Sequence, residues 1–493
     1  MFRSYVRSYV PWILSRVLSF LGLSLTAFAA GTPIVTVTSP ANNSQTTSPV
    51  NYVASAVSPG CPQGISVMRI YSAPYVSAFT GAGAKINTYI NLQPGTYNTV
   101  VQAWDNCGNV GKTTVALTIT GEAQPAGFVY TVNSDYDYER TTSNVRGFTI
   151  VAGNGALAPT GQGPVNANVD PVALVSDKGG YRLYVADYVS GDVFAYFMDR
   201  RNGYLNPVPG APFPANRSVA AVAVHPSGTL IFAALSEYTQ GDGIGVFELQ
   251  SDGSLKPAPG SPYFTQPGPQ ALTVDPSGNY LYVADGSGYI DAFQINLASS
   301  TLTPLAGSPY QLSNSCGGAY LRDIVNPLGK YLYTADAVAS EIDGFSTPFS
   351  SGAPTSISGS PWPDTGHCQG VAIDDPLFDY NPKSLAVDPA GKFLYALNEL
   401  DENIAIYSIA SNGVLRFSKF TPTGSACYGA VRTDPTGKYV YAGACPSGIP
   451  NGFGGLVGFS INQTTGDLKP LPTSPYTYPQ PGRTAVQDVA VTP

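Results

Sequence analysis

The 493-residue sequence predicts an all-β protein in which a β-sandwich precedes a seven-bladed β-propeller that the C-terminal strand closes. Glycine fills 53 positions and proline 43, whereas charged residues make up only 11%. This composition disfavours long surface helices and favours turn-rich β structure. From residue 128 onward, a short aromatic strand recurs seven times at intervals of 46 to 62 residues. A fixed period of this size is typical of propellers, in which each blade has roughly four short strands.

Residues 1–29 are predicted to be a signal peptide rather than part of the fold. Three arginines precede or border an apolar stretch at residues 17–27, and Ala27-Phe28-Ala29 has the small-x-small form that signal peptidase cleaves. A membrane anchor is the alternative, but it needs roughly 20 continuous apolar residues, and polar residues interrupt this stretch. We therefore expect a secreted, periplasmic or cell-surface protein with no membrane span after cleavage.

Residues 30–121 are predicted to form the β-sandwich. Short alternating runs, separated by proline, asparagine and glycine, lie at residues 34–38, 50–54, 66–71, 97–104 and 113–119. Such spacing indicates a sandwich of about 90 residues. The segment resembles bacterial Ig-like domains in the Pro-Gly-Thr-Tyr start at residues 94–97 and in the run at 104–109. Residues 122–127, which contain a proline, are predicted to be the linker.

The propeller is predicted to span residues 128–493. Its aromatic strands follow turns of the Asp-Pro-x-Gly type and are centred on Tyr130, Tyr184, Phe232, Tyr282, Tyr333, Tyr395 and Tyr441. The first unit has no inner strand before it, and the chain ends on an unpartnered, strand-like segment at residues 489–492. We therefore predict that this segment completes the first blade, because closure leaves no open sheet edge.

The six cysteines predict disulfide bonds, since the chain is expected to be exported. The pairs suggested by segment proximity are Cys61–Cys107, Cys427–Cys445 and Cys316–Cys368. No C-x-x-C pair occurs and the chain has two histidines, so we expect no metal site. P-loop, H-E-x-x-H and G-x-S-x-G motifs are absent from the sequence, and no cofactor is expected. The formal net charge of −8 disfavours nucleic acid as a partner, because phosphate contacts need clustered lysine and arginine.

Three recurring motifs carry a resemblance to a known family. Asp-Pro-x-Gly turns alternate with Tyr-Val-Ala-Asp strands, as at residues 184–187 and 282–285, and with Gly-Ser-Pro-aromatic elements, as at 307–310. This combination resembles the seven-bladed, lactonase-like (YVTN-type) propeller family. The resemblance implies hydrolysis of sugar lactones such as 6-phosphogluconolactone, with histidines at the inner-strand entries and arginine and glutamate at the central mouth. The entries here carry no histidine, as residues 269–271 illustrate.

Charged residues on the predicted inner strands form the first candidate site. When these strands are aligned on their turns, Arg322 and Asp488 stand where the other blades have alanine or serine. Asp323 and Arg432 lie beside them. One interpretation is a structural ion-pair network that fixes the register of the blades, because unpaired buried charge is costly. The other is a polar floor to a central pocket, in which these four residues are the candidates for catalysis.

Acidic residues at the ends of aromatic strands are candidates for ligand binding. They are Asp187, Asp285 and Asp336. Aspartate is also favoured in turns because its side chain accepts hydrogen bonds from nearby backbone amides, so a purely structural role is the alternative.

The interval between the fifth and sixth aromatic strands is the longest in the propeller. It contains the ligand-binding candidates His367, Asp374 and Asp379, and Glu399 follows the sixth aromatic strand. In a propeller these connections share one face, so we expect them over the channel mouth. A lid, a weak calcium site and an ordinary insertion held by a disulfide are the three alternatives.

Two functions follow from these observations. The first is an exported, monomeric binding or scaffold protein whose channel face holds a carbohydrate, a small metabolite or a protein segment. The alternative is a lactonase-like hydrolase in which Arg322 and Arg432 stabilise an oxyanion. Asp323, Asp488 or His367 would then act on water. The sequence alone does not decide whether the protein is an enzyme.

Overall fold

The computed structural model describes most of the sandwich and the propeller. The described residues are 31–122, 125–135, 143–167, 169–237, 239, 241–312, 320–363, 382–398, 401–424, 429–444, 453–479 and 484–493. Their regular secondary structure consists of β-strands, which confirms the predicted all-β class. No helix among them is long and apolar enough to cross a membrane.

The N-terminal module is a sandwich of two sheets. Its strands are β1 (Ile34–Ser39), β2 (Ser44–Ser48), β3 (Val50–Val57), β4 (Ile65–Ala73), β5 (Val76–Ala82), β6 (Lys85–Ile90), β7 (Gly95–Asp105) and β8 (Val110–Glu122). One sheet has the order β1-β3-β6 and the other β2-β8-β7-β4-β5. Tyr52, Met68 and Val101 are fully buried between them. A disulfide joins Cys61 and Cys107, as predicted, with a Cα–Cα distance of 5.8 Å. The assignment of this module to Ig-like domains stays a prediction, as do the domain limits.

Seven further sheets form the blades of the propeller, and in all of them but the first the inner strand comes first along the chain. The first blade contains β9 (Phe128–Asp135), β10 (Asn144–Ile150), β11 (Leu157–Pro159) and β12 (Val165–Asn166), and the second contains β13 (Pro171–Ser176), β14 (Arg182–Asp187), β15 (Asp192–Met198), β16 (Leu205–Pro207) and β17 (Phe213–Pro214). The third contains β18 (Val219–Val224), β19 (Leu230–Leu235), β20 (Gly243–Leu249), β21 (Leu255–Pro257) and β22 (Tyr263–Phe264). The fourth contains β23 (Pro269–Val274), β24 (Tyr280–Asp285), β25 (Tyr289–Asn296), β26 (Thr301–Pro304) and β27 (Tyr310–Gln311). In the first blade the inner strand comes from the end of the chain.

The remaining blades repeat this arrangement. The fifth blade contains β28 (Leu321–Val325), β29 (Tyr331–Asp336), β30 (Glu341–Ser346), β31 (Thr355–Ser356) and β32 (Trp362–Pro363). The sixth contains β33 (Ser384–Val387), β34 (Phe393–Asn398), β35 (Asn403–Ile409) and β36 (Leu415–Pro422). The seventh contains β37 (Val431–Thr433), β38 (Tyr439–Ala444), β39 (Phe453–Ile461), β40 (Leu468–Pro470) and β41 (Tyr476–Pro479). The last strand, β42 (Thr484–Thr492), pairs antiparallel with β9, so that Ala490 lies opposite Tyr130. The predicted closure of the ring is therefore confirmed.

The repeated tyrosines hold neighbouring blades together. Five of them are fully buried and donate a hydrogen bond to the carbonyl of a glycine in the next blade, between its third and fourth strands. The pairs are Tyr130–Gly203 at 2.8 Å, Tyr282–Gly352 at 2.8 Å, Tyr333–Gly413 at 2.8 Å, Tyr395–Gly466 at 3.1 Å and Tyr441–Gly155 at 2.7 Å. These glycines have φ between 65° and 83°, a conformation that L side chains rarely adopt. The aromatic strand of one blade and the glycine turn of the next blade thus form one recurring contact.

Candidate functional site

The pairing of inner strands determines which residues share a level of the central hub. In the fourth blade Ala271 lies opposite Ala284, and the residue at the same level in the fifth blade is Asp323, opposite Ala335. Between this level and the turn that follows, β28 has one residue fewer than β23. Alignment on the turns is therefore wrong for Arg322, which lies one step nearer the strand entry, in a β-bulge next to Asp323.

Polar side chains occupy this level in three blades. Asp323, Ser384 and Asp488 stand in the fifth, sixth and first blades, where the second, third and fourth blades have alanine. Each accepts a hydrogen bond from a backbone amide of the following blade. The bonds are Leu385 N to Asp323 Oδ2 at 3.0 Å, Val431 N to Ser384 Oγ at 3.2 Å and Leu174 N to Asp488 Oδ2 at 3.1 Å. One contact thus repeats around nearly half of the ring.

Arg432, from the seventh blade, connects these groups. Its Nη2 donates to Asp488 Oδ1 at 3.0 Å, and its Nη1 donates to Ser384 Oγ at 2.8 Å and to Asp323 Oδ2 at 3.3 Å. Ser384 in turn donates to Asp323 Oδ2 at 2.8 Å. The network therefore joins the closing strand β42 to the fifth, sixth and seventh blades, and three of the four charged candidates belong to it.

The side chain of Arg432 is held by the network and remains partly exposed. Its side chain keeps 32% of its surface exposed, whereas Asp323 and Asp488 keep 14% and 10%. Burial acts to lower the pKa of Arg432, but the charges of Asp488 and Asp323 outweigh it and raise that pKa. Burial raises the pKa of Asp488, and Arg432 offsets part of the rise. The arrangement holds a positive charge at a fixed position in the hub.

Arg322 and two tyrosines surround the entry to the hub. The guanidinium carbon of Arg322 lies 5.6 Å from the ring centroid of Tyr320, which precedes β28. Burial raises the pKa of Tyr188, which follows β14, and Tyr320 is the next contributor to the rise. The two phenols, from the second and fifth blades, therefore lie near each other. This mouth offers aromatic and cationic groups together.

The three acidic candidates at the strand ends act first as turn caps. Asp187 Oδ2 accepts the amides of residues 169 and 170, both at 2.9 Å. Asp285 Oδ1 accepts those of residues 287 and 289, and Asp336 Oδ1 accepts those of residues 320, 338 and 339. All three are fully buried. The geometry matches the structural alternative, and among the described residues no hydrogen bond or ion pair connects these carboxylates to the hub network.

A cluster of buried polar groups in the fifth blade had not been predicted from the sequence. Thr334 lies opposite Asp343, and Asp336 lies opposite Glu341, so all four side chains share one face of the β29–β30 pair. Thr334 Oγ1, Asp336 Oδ2 and Asp343 Oδ2 are buried with no hydrogen-bond partner among the described residues. Burial, followed by the charges of Asp336 and Glu341, raises the pKa of Asp343 to about 8. We refer to these four residues as the fifth-blade cluster.

Several predicted residues lie outside the described part of the chain. These are His367, Asp374, Asp379, Glu399, Cys316, Cys368, Cys427 and Cys445, so their proposed roles and two disulfides stay predictions. Within the described ranges, the one group whose ligand atoms could converge on a metal ion is Cys61, Asp105 and Cys107, and its two sulfurs form the disulfide. The other histidine, His225, is a buried turn residue whose Nε2 lies 2.8 Å from the Gly278 carbonyl.

Comparison with known proteins identifies relatives of the propeller. A candidate 6-phosphogluconolactonase from Bacteroides uniformis is 21% identical, with a TM-score of 0.57 over 74% of this chain and 100% of its own. A candidate 6-phosphogluconolactonase from Bacteroides fragilis is 20% identical, with a TM-score of 0.56 over 75% and 99%. The periplasmic gluconolactonase PpgL of Pseudomonas aeruginosa is 16% identical, with a TM-score of 0.55 over 74% and 99%. At these identities the likeness shows the fold alone.

The sequence also matches a family model. No curated protein is significantly similar to the chain. The model described as "Lactonase, 7-bladed beta-propeller" matches residues 145–486, which include most of the ring and, of the hub network, Asp323, Ser384 and Arg432 but not Asp488. The chain therefore belongs to the seven-bladed lactonase β-propeller family.

Proposed function

We propose that this protein hydrolyses a sugar lactone at the channel mouth above the hub. The observation that carries the proposal is Arg432, which two carboxylates and Ser384 hold in place while a third of its side chain remains exposed. Arg322 lies one step nearer the entry. Membership of the lactonase family supports this function over the binding or scaffold role that the sequence analysis placed first.

The chemistry requires stabilisation of negative charge. Water attacks the lactone carbonyl carbon, the ring C–O bond breaks, and the leaving alkoxide takes a proton, so that a hydroxy acid is released. Charge develops on the carbonyl oxygen in the transition state, where a preorganised cation is most effective because it needs no reorganisation. Arg432 and Arg322 are the groups that we assign to this oxygen. The hub thus supplies an oxyanion site on a rigid support.

Asp323 and Asp488 act as positioning residues in this proposal. Each accepts the amide of its own following residue on Oδ1. Arg432 donates to Oδ2 of Asp323, together with Ser384 and an amide of the next blade, and to Oδ1 of Asp488, whose Oδ2 accepts an amide of the next blade. Both oxygens of each carboxylate already accept hydrogen bonds from protein groups, so a proton transfer to either residue would disturb contacts that hold Arg432 and the neighbouring strands in place. Activation of water by Asp323 or Asp488 is therefore not favoured. His367 stays the remaining candidate from the sequence for that role.

The names of these relatives suggest two substrates, 6-phosphogluconolactone and gluconolactone. The expected signal peptide favours the second, since a protein outside the cytosol would not meet a phosphorylated cytosolic sugar. We therefore propose an unphosphorylated aldonolactone. Tyr188 and Tyr320 would pack against the sugar ring at the mouth, because a tyrosine side chain combines an apolar ring face with a polar hydroxyl.

Hydrolysis of D-glucono-δ-lactone by the purified full-length chain tests the proposal. Acid release is followed against the spontaneous reaction, with 6-phosphogluconolactone as the second substrate. Arg322→Gln should lower kcat/KM about 100-fold if its guanidinium binds the oxyanion. Arg200→Gln is the matched control, because Arg200 lies over Tyr181 on the outside of the propeller. A wild-type rate no faster than the spontaneous one would refute the proposal.

A further inference from the structure

A cleft of about 290 Å³ lies where the sandwich meets the first two blades. Two hydrogen bonds fix the modules against each other beside it. Asn154 Nδ2 donates to the Tyr89 hydroxyl at 2.9 Å, and Asn91 Nδ2 donates to the Pro159 carbonyl. The cleft is lined by residues of both modules and shares none with the hub or the channel mouth. It is therefore a second concave site, and both modules are needed to form it.

Polar groups without protein partners face this cleft. Arg201 is 82% exposed, and its contact with a carboxylate is through Nε, 3.5 Å from Asp199, while Nη1 and Nη2 make no hydrogen bond to a described residue. The hydroxyl of Tyr204 likewise has no described partner, and it lies over Gly161, where a Cβ atom would come within 2.6 Å of it. The amide of Gln93 also lines the cleft. These groups can donate to or accept from a ligand.

The walls of the cleft are less polar. The rings of Tyr97 and Tyr204 and the side chains of Leu92 and Ile150 contribute to its lining. The hydroxyl of Tyr97 donates to the Gln93 carbonyl at 2.9 Å, which fixes the orientation of that ring. Aromatic faces combined with a few convergent polar groups are typical of small-ligand sites. The volume is at the lower end for such sites, which fits one ring of a larger molecule.

We propose that this cleft binds a saccharide unit that carries a carboxylate, such as a hexuronate. The aliphatic face of a pyranose ring packs against tyrosine, its hydroxyls match the amide and phenol groups, and the free edge of Arg201 matches a carboxylate in bidentate geometry. One guanidinium suits one carboxylate and not the several charges of a polyphosphate. The site is independent of lactone hydrolysis, because none of its residues lies at the channel.

The probe that tests this site is trigalacturonate, titrated into the full-length chain by isothermal calorimetry. Saturable binding is expected, and maltotriose, which is neutral, should bind at least tenfold more weakly. Arg201→Gln should weaken trigalacturonate binding at least tenfold, since a hydrogen bond to a charged group is worth about 1.5–3 kcal/mol. Tyr204→Phe, which removes the hydroxyl alone, should weaken it about threefold.

The neighbouring arginine supplies the matched control. Arg200→Gln should bind trigalacturonate as the wild type does, because Arg200 lies 5.1 Å from the ring centroid of Tyr181 and does not line the cleft. Arg322→Gln should also keep wild-type binding whatever its effect on lactone hydrolysis. The proposal is overturned by absence of saturable trigalacturonate binding, by equal binding of maltotriose, or by an unchanged affinity in Arg201→Gln.

Discussion

Two regions of the propeller place carboxylates on neighbouring strands, the central hub and the fifth-blade cluster. At the hub, Asp323 and Asp488 share one guanidinium and accept backbone amides from the next blade. In the cluster, Asp336 and Asp343 each keep a buried oxygen that no described group satisfies. Both regions are largely buried, so exposure does not explain the difference. What differs is whether the opposing strands supply donors.

This contrast separates two uses of buried charge. A carboxylate pair with a shared cation fixes the geometry around it and can hold a positive charge for chemistry. Buried carboxyl groups in which one oxygen lacks a donor relieve the cost of burial by taking up protons, which makes the surrounding structure sensitive to pH. We therefore expect the hub to act as a rigid support and the fifth blade to lose stability as pH rises.

Removal of the shared cation at the hub should have the largest effect on stability. Arg432→Met leaves Asp323 and Asp488 without their ion pair, and loss of one partner of a buried pair costs about 3–5 kcal/mol. We expect about 3 kcal/mol, because a third of the arginine side chain is exposed. The measurement is urea unfolding followed by circular dichroism, with Arg200→Met as the control. A loss below about 1 kcal/mol, typical of a surface pair, would show that the hub charges are not coupled.

Removal of a charge from the fifth-blade cluster should raise the stability of the protein, whereas removal of the cation at the hub lowers it. The folded-state pKa of Asp343, about 8, exceeds the ordinary value of 3.8, so the protonated form is favoured in the folded chain. The wild type should therefore lose stability as pH rises from about 4 to 8, with the full loss above 8. Asp343→Asn should match the wild type near pH 4 and be more stable at pH 9, by about 2 kcal/mol after allowance for relaxation. Thermal unfolding across this pH range measures the difference.

The fourth blade provides a control for that prediction. Asp291 occupies the position of Asp343, but its Oδ2 accepts the Gln266 amide at 2.9 Å, and burial raises its pKa only to about 6. The gain from Asp291→Asn should be smaller and should be complete about two pH units earlier. Identical pH profiles for the two variants would contradict the assignment of the pH dependence to the unpartnered cluster.

The smallest predicted effect concerns a single neutral hydrogen bond. Tyr333→Phe removes the bond from the hydroxyl to the Gly413 carbonyl and should cost about 1 kcal/mol. Tyr184 stands at the same position in the second blade, but its buried hydroxyl has no partner among the described residues. Tyr184→Phe should therefore leave stability unchanged or raise it slightly. Equal losses for both variants, in the same urea experiment, would show that packing and not the hydrogen bond is responsible.

The repeats made the ring predictable from the sequence, because each blade reuses the same aromatic strand and the ends of the chain complement each other. The turns did not predict which residues lie at the level of the hub, because β28 is one residue shorter than β23. Asp323, and not Arg322, therefore lies at the level of Ala271. Ser384 was overlooked because serine is small and unremarkable among alanines. Its role depends on the reach of Arg432 from a neighbouring blade, which only the assembled ring shows.

The fifth-blade cluster did leave a trace in the sequence. Asp291 and Asp343 stand at one position of the repeat, where other blades have residues such as Phe194, Gly245 and Ala405. An acid in an otherwise apolar strand is a recognisable exception. Its partners across the sheet depend on strand register, which the sequence does not specify when turns vary in length.

Activity measured in two variants side by side tests the central claim most directly, which is that the hub and not the fifth-blade cluster serves the chemistry. The quantity is kcat/KM for D-glucono-δ-lactone in Arg322→Gln and Asp343→Asn, with folding of both checked by circular dichroism. We predict a fall of about 100-fold in the first and an unchanged value in the second. A wild-type value in Arg322→Gln, or a comparable fall in both variants, would contradict the claim.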